Sequence, residues 1–338
     1  MPLLKPNYIL ISPFLRPTRT FLKVCSQYPI SRAPHQPFSS SSPGAHATTR
    51  DPPNAPSTEA KNLRTGLEAP TFLGTKKRLP EFNLADHVVL VSGGAGGLGL
   101  VQSEALLEAG AIVYALDRRD QPPPEFEEAC DRAEETLGTR LRYRKIDVTD
   151  EPGLRKVVAD IAENHGRIDG LIAAAGINKE GDSLEYTAED FNKILQVNVT
   201  GVFSTAQAVA KEMVDRKTGG SICLIASMSG TIANRGLVCA AYNSSKAAVC
   251  QLARNLASEW GKFGIRVNSI SPGYIITPMT KSDFLSSPER EHELSDGNML
   301  GRLSQPEEYR GAGVFLISPA SSFMTGADLI IDGGHHSW

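Results

Sequence analysis

The run Val88-Val89-Leu90-Val91-Ser92-Gly93-Gly94-Ala95-Gly96-Gly97-Leu98-Gly99 decides the fold of this 338-residue chain. Its first four residues are apolar and three of them are β-branched, which predicts a short buried strand. Glycines follow at once, and Leu100 to Ala109 reads as a helix stopped by Gly110. Strand, glycine turn and helix in that order make a phosphate-binding unit. The bare backbone lets a pyrophosphate approach, and the helix N-terminus offers free N–H groups at the positive end of its dipole. A merely flexible turn is the bland alternative. The flanking strand and helix, and an acid downstream, argue against it.

That acid is Asp117, which ends a second apolar run, Ala111 to Leu116. A carboxylate at this strand tip accepts hydrogen bonds from ribose hydroxyls and repels a 2′-phosphate, so it favours NAD over NADP. The absence of Lys and Arg from the glycine turn points the same way. Arg118 and Arg119 point the other way, since either can pair with a 2′-phosphate, and NADP stays open.

Strand and helix patterns alternate along the rest of the chain. Strands are expected at Leu141 to Ile146, Leu171 to Ala174, Ser221 to Ala226, Arg266 to Ser271 and Asp328 to Asp332. Helices are expected at Glu151 to His165, Asp190 to Met213 and Ala241 to Lys262. Short links between alternating elements imply an α/β fold with one doubly wound, Rossmann-type, mostly parallel sheet covered on both faces. Ligands bind such sheets at the carboxyl ends of the strands. The glycine turn, Asp117, Asp147, Ser227 and Thr277 all fall at such ends.

A second constellation is Tyr242-Asn243-Ser244-Ser245-Lys246. Residues four apart share a helix face, one turn from each other. An ammonium there is expected to lower the phenol pKa of Tyr242, preparing a general acid/base for alcohol or carbonyl chemistry. On its own the spacing also suits an ordinary solvated helix. Coupled to the glycine turn, it does not stand alone.

Ser92-Gly93-x-x-x-Gly97-x-Gly99 with Tyr242-x-x-x-Lys246 resembles the short-chain dehydrogenase/reductase family, from about Leu84 to Gly334. The resemblance implies a catalytic set of Asn198, Ser227, Tyr242 and Lys246. It implies cofactor contacts from Ser92, Gly93, Gly97, Leu98, Gly99 and Asp117, from Asp147 and Val148 on the adenine, from Tyr242 and Lys246 on the nicotinamide ribose, and from Ile275 and Thr277 on the carboxamide. In that scheme Tyr242 exchanges a proton with the substrate oxygen, Ser227 stabilises that oxygen, and Asn198 holds a water linking Lys246 to solvent. It further implies a homo-oligomer, tetramer or dimer, and a small-molecule alcohol or ketone substrate. One departure is Ala173-Ala174-Ala175-Gly176, where the family usually has Asn-Asn-Ala-Gly, so no polar role is assigned to Ala173 or Ala174. The interval from Ser227 to Tyr242 is slightly long, which places extra residues near the substrate around Asn234 to Val238. The stretch Pro278 to Gly301 occupies the position of a substrate-covering lid, with a surface insertion as the alternative. Around Tyr242 and on to Ala257 the sequence resembles fungal polyol dehydrogenases and ketose reductases of the arabinitol and mannitol 2-dehydrogenase types. A 3-oxoacyl carrier-protein reductase using NADPH, another ketoreductase, and a nucleotide-binding sensor without turnover remain rival readings.

Composition bounds these readings. The chain is 41% hydrophobic and 22% charged with a net charge of −3, so nothing points to nucleic acid. No apolar run is long enough to span a bilayer. Five scattered cysteines without a C-x-x-C pair exclude the common zinc and redox motifs, and no metal is expected. Residues 1–50 carry Lys5, Arg16, Arg19, Lys23, Arg32 and Arg50 with no Asp or Glu, and are rich in Pro and Ser. That composition resembles a mitochondrial transit peptide, with a disordered tail as the alternative. A linker is expected over 51–83 and the enzyme domain over 84–338.

Overall fold

The structure is a computed structural model that describes residues 79–277 and 288–338. The transit segment expected over 1–50, the linker up to residue 78 and the first part of the expected lid, 278–287, lie outside the described residues. Seven strands form one sheet: β1 (Val88–Ser92), β2 (Ile112–Asp117), β3 (Arg142–Lys145), β4 (Gly170–Ala173), β5 (Gly220–Ile225), β6 (Ile265–Pro272) and β7 (Asp328–Ile331). They run in the order β3-β2-β1-β4-β5-β6-β7, and every pairing is parallel. The order reverses between β1 and β4, the switch point at which an open parallel sheet forms a ligand crevice.

The helices are α1 (Gly97–Glu108), α2 (Pro124–Leu137), α3 (Glu151–His165), α4 (Ala188–Leu195), α5 (Val202–Asp215), α6 (Ala240–Trp260), α7 (Pro288–Asp296) and α8 (Arg310–Ile317). Alternation along the strands splits the core into two layers. Leu90, Leu171 and Ile222 face α3, α5 and α6, whereas Val89, Val91, Ile172 and Ile270 face α1, α2 and α8. Each such side chain is fully buried, a gain of roughly 1.5–3 kcal/mol apiece. This double burial is why β1 and β4 read as short apolar runs. β3 differs: three of its four residues are exposed, and it is shorter than the expected Leu141 to Ile146. It is an edge strand, and its Arg142, Arg144 and Lys145 discourage pairing with another chain.

At the amino ends of the strands, Asp169 is buried and accepts the Val88 N–H at 2.9 Å. Arg167 donates to both of its carboxylate oxygens, at 2.9 Å from Nε and 2.6 Å from Nη2. The pair ties the entrance of β1 to that of β4, and so holds the switch point together.

The helix expected over Asp190 to Met213 is interrupted. Residues Gln196–Gly201 form a π-helical turn between α4 and α5. Two side chains divert the local backbone or bond away from it: Asn198 reaches across to Ile177, and Thr205 Oγ1 donates to Gly201 O at 2.7 Å. Hydrophobic spacing marks the helical span but not such an insertion, which is common at functional sites.

Candidate active site

The glycine turn leaves β1 at Gly93, whose φ of +67° suits glycine. A Cβ there would stand 2.9 Å from the Ala175 backbone, so the turn after β1 and the segment after β4 touch main chain to main chain. A Cβ on Gly99 would collide with the Gly93 carbonyl. Small residues at Ala173 to Ala175 serve this close approach. The Ala175 N–H reaches Ser92 Oγ at 3.4 Å, a further tie between the two segments.

α1 begins at Gly97 with no side-chain cap, leaving its first N–H groups without an intrahelical partner. The space beside Gly97 is open: a Cβ built there meets nothing within 4 Å. Open space, bare glycine and uncapped donors fit a pyrophosphate. From this point a cleft of about 1370 Å³ runs along the carboxyl ends of the strands, lined by Leu98, Asp117, Asp147, Val148, Ile275 and Thr277 among others. Asp117 ends β2 with its side chain largely covered. Arg119 Nη1 lies 3.4 Å from its carboxylate and close above Gly96, between the acid and the turn. Asp147 accepts the N–H and hydroxyl of Thr149 at 2.9 and 2.8 Å, and the backbone bond first of all holds its carboxyl below the usual range. Val148 is buried beside Gly201.

Tyr242, Lys246 and Ser227 meet at the other end of the same cleft. Ser227 follows β5 and caps a short turn, accepting the Ser229 N–H at 3.2 Å while its hydroxyl makes a long 3.4 Å contact to Pro272 O. Tyr242 lies in the first turn of α6, and Lys246 Nζ is 5.5 Å from its ring centroid. Lys246 is buried, and Nζ donates to Ile225 O at 2.8 Å. The electrostatics differ from the sequence expectation. Burial pushes the Tyr242 phenol up, with the Ser227 hydroxyl pulling it down more weakly, and burial lowers Lys246 to about 8. Desolvation disfavours both charged forms here, and the amine faces a carbonyl instead of the phenol oxygen.

Asn198 is fully buried and committed to three bonds: it accepts the Ile177 N–H at 2.8 Å and donates to Ile177 O and Ser245 Oγ at 2.9 and 3.0 Å. Its amide ties the segment after β4 to α6. Gly176 lies between Asn198 Oδ1 and Lys246 Nζ, 3.4 and 3.7 Å from the place a Cβ would occupy.

Several lining residues escaped the sequence reading. Tyr274 directly precedes Ile275, yet no spacing gave it a role. Glu180 and Arg290 pair at 2.8 and 2.9 Å across the cleft mouth, and partners 110 residues apart leave no local signal. The extra residues before Tyr242 do reach the cleft: Leu237 and Cys239 line it, and Val238 O accepts the Gly181 N–H at 2.9 Å. From the expected lid stretch, α7 supplies Arg290 and Leu294 to the wall.

An open, uncapped helix N-terminus and a buried phenol and amine along one cleft suit a dinucleotide-dependent oxidoreductase. Residues 93–336 match a family model described as Enoyl-(Acyl carrier protein) reductase. The short chain dehydrogenase/reductase notP' of Aspergillus versicolor is 43% identical over 76% of this chain and 89% of its own length. A D-arabinitol 2-dehydrogenase [ribulose-forming] of Candida tropicalis is 36% identical over 80% of this chain and its whole length. The crystal structure of gox2181, 37% identical, superposes with a TM-score of 0.71 over 76% of this chain and 98% of its own. The chain belongs to the short-chain dehydrogenase/reductase family and is an NAD(P)-dependent enzyme of alcohol and carbonyl groups.

Proposed function

We propose that the protein interconverts a polyol and its ketose, with D-arabinitol and ribulose as the reference pair and NAD as the preferred cofactor. The observation that carries the reading is the convergence of Tyr242, Ser227 and Lys246 on one end of a cleft whose other end is an open, uncapped helix N-terminus. A relative matched over its full length and named for arabinitol supports the substrate class.

A bound nicotinamide dinucleotide supplies the hydride donor or acceptor. Tyr242 delivers its proton to the ketone oxygen in reduction and takes one from the hydroxyl in oxidation. Ser227 turns its hydroxyl from the long Pro272 contact toward that oxygen and stabilises its developing charge. Lys246 places an ammonium beneath the Tyr242 ring and favours phenolate as the proton leaves. Asn198 fixes Ile177 and Ser245, keeping the loop after β4 in register with α6. When the dinucleotide binds, Gly93, Gly97 and Gly99 would hold the pyrophosphate, Asp147 and Val148 the adenine side, and Ile275 and Thr277 the carboxamide. The test is nicotinamide absorbance across polyols, ketoses and acyl thioesters with both cofactors. Turnover of thioesters alone, or silence with retained NAD binding, overturns the polyol reading.

Asp117→Ala is expected to lower the NAD-to-NADP ratio of kcat/KM by about 10-fold or more, the weight of one charge-assisted hydrogen bond. Removing the carboxylate also releases Arg119, which stands above Gly96 and can then pair with a 2′-phosphate. An unchanged or larger ratio places ribose selection elsewhere. We propose in addition that the enzyme is a homo-oligomer, tetramer or dimer, in contact through α5 and α6. Light scattering reads this directly, and a monomer at micromolar concentration removes it.

A further inference from the structure

We propose that Tyr274 is a specificity residue whose hydroxyl donates a hydrogen bond to a second oxygen of the substrate. This rests on the reading of the substrate as hydroxylated beyond its reacting carbon.

The direction of the bond follows from a chain of side chains anchored at a carbonyl. Ile232 O can only accept, and it lies 3.1 Å from Asn243 Nδ2. That contact fixes which way the Asn243 amide faces. The same nitrogen is 2.9 Å from Asn234 Oδ1, while Cys239 Sγ donates to Asn243 Oδ1 at 3.1 Å. Asn234 is buried and must therefore present its own Nδ2 to Tyr274, 3.0 Å from the phenol oxygen. An amide nitrogen only donates, so Tyr274 Oη accepts. Its proton points elsewhere, and among the described residues no acceptor takes it.

The ring is held as firmly as the hydroxyl. His335 packs edge-on against it with centroids 5.1 Å apart, and His335 is itself bound to Asn298 at 2.9 Å. Tyr274 lines the cleft with Tyr242, Leu237, Cys239 and Arg290. Burial pushes its phenol pKa up, so the proton stays on the oxygen at neutral pH. A fixed donor on the wall of the cleft that Tyr242 also lines costs little further ordering when it finds an acceptor. A substrate with only carbon at that position leaves the donor unpaired, which selects against it.

The test uses two variants of the full-length enzyme, with kcat and KM measured on D-arabinitol and other polyols and NADH affinity by fluorescence titration. Tyr274→Phe removes the donor. Asn234→Asp keeps the ring and places an acceptor opposite both Asn243 Nδ2 and Tyr274, which turns the phenol proton away from the cleft. Both are expected to raise the polyol KM by about 10-fold with kcat and NADH affinity nearly unchanged, the signature of lost substrate binding. Unchanged KM in either variant overturns the assignment, as does a loss falling on kcat or on NADH affinity. Wild-type turnover of polyols with unchanged variants removes the Tyr274 role alone, whereas a wild type silent on every polyol removes the substrate reading and this role together.

Discussion

Tyr242→Phe lowers kcat by about 10³-fold in both directions while NAD binding stays nearly intact, because the substitution removes one oxygen and the proton route with it. The ring survives, and with it the seat of Lys246 5.5 Å from the ring centroid. The pH dependence has a definite sign. Burial raises the Tyr242 phenol, so at neutral pH it carries its proton. Ketone reduction needs that proton and is served at neutrality and below, fading as pH rises. Alcohol oxidation needs the proton gone and rises through alkaline pH. With Lys246 lowered to about 8 beside it, the observed limb belongs to the pair and not to either residue. In Tyr242→Phe the residual rate loses this limb. Steady-state kinetics from pH 6 to 10 in both directions checks the prediction, and substantial activity or a retained limb removes Tyr242 as the acid/base.

Much of this geometry was legible before any fold was known. The apolar runs of β1 and β4 marked strands, and the alternation of strands with helices marked a sheet covered on both faces, whereas β6 is equally central yet carries buried, hydrogen-bonded Asn268, Ser269 and Ser271. The glycine turn and the Tyr242–Lys246 spacing are local signals, within one turn or one helix face, and the fold brings both to one cleft. What was not legible depends on distance in the chain. The π-turn at Gln196–Gly201 answers to Asn198 bonding 21 residues back to Ile177. The Glu180–Arg290 pair and the Asn234–Tyr274 bond join segments that only the fold brings together. The lowered pKa expected for Tyr242 failed for a related reason. Spacing places an ammonium near a phenol, but burial depth and the competing carbonyl of Ile225 decide which of the two keeps its charge.

Lys246→Met loses activity by about 10³-fold, on the same scale as the acid/base itself, since the phenol then has no cation to favour its ionised form. The same change acts on stability with an opposite sign. Lys246 is almost fully buried and lowered to about 8, against an ordinary value of 10.5. Below pH 8 both folded and unfolded chains hold the proton, and the fold carries the whole burial penalty, roughly 3 kcal/mol. Between pH 8 and 10.5 the folded state releases the proton and the unfolded state keeps it, so wild-type stability gains from this residue as pH rises. Methionine carries no such penalty at any pH, but it leaves the Ile225 carbonyl without its donor, a loss of about 1–3 kcal/mol. The cofactor-free variant is therefore as stable as wild type or more so at pH 7, and less stable at pH 10.5. Urea midpoints of the two proteins across this range isolate the residue, because the other titrating groups cancel in the difference. A difference that stays constant with pH shows that Lys246 is not buried as an amine poised near 8. A pH-dependent difference with full activity shows that its buried charge has no part in turnover. Loss of activity together with a shift of the midpoint difference toward wild type identifies a charge kept in the core for chemistry at the expense of stability.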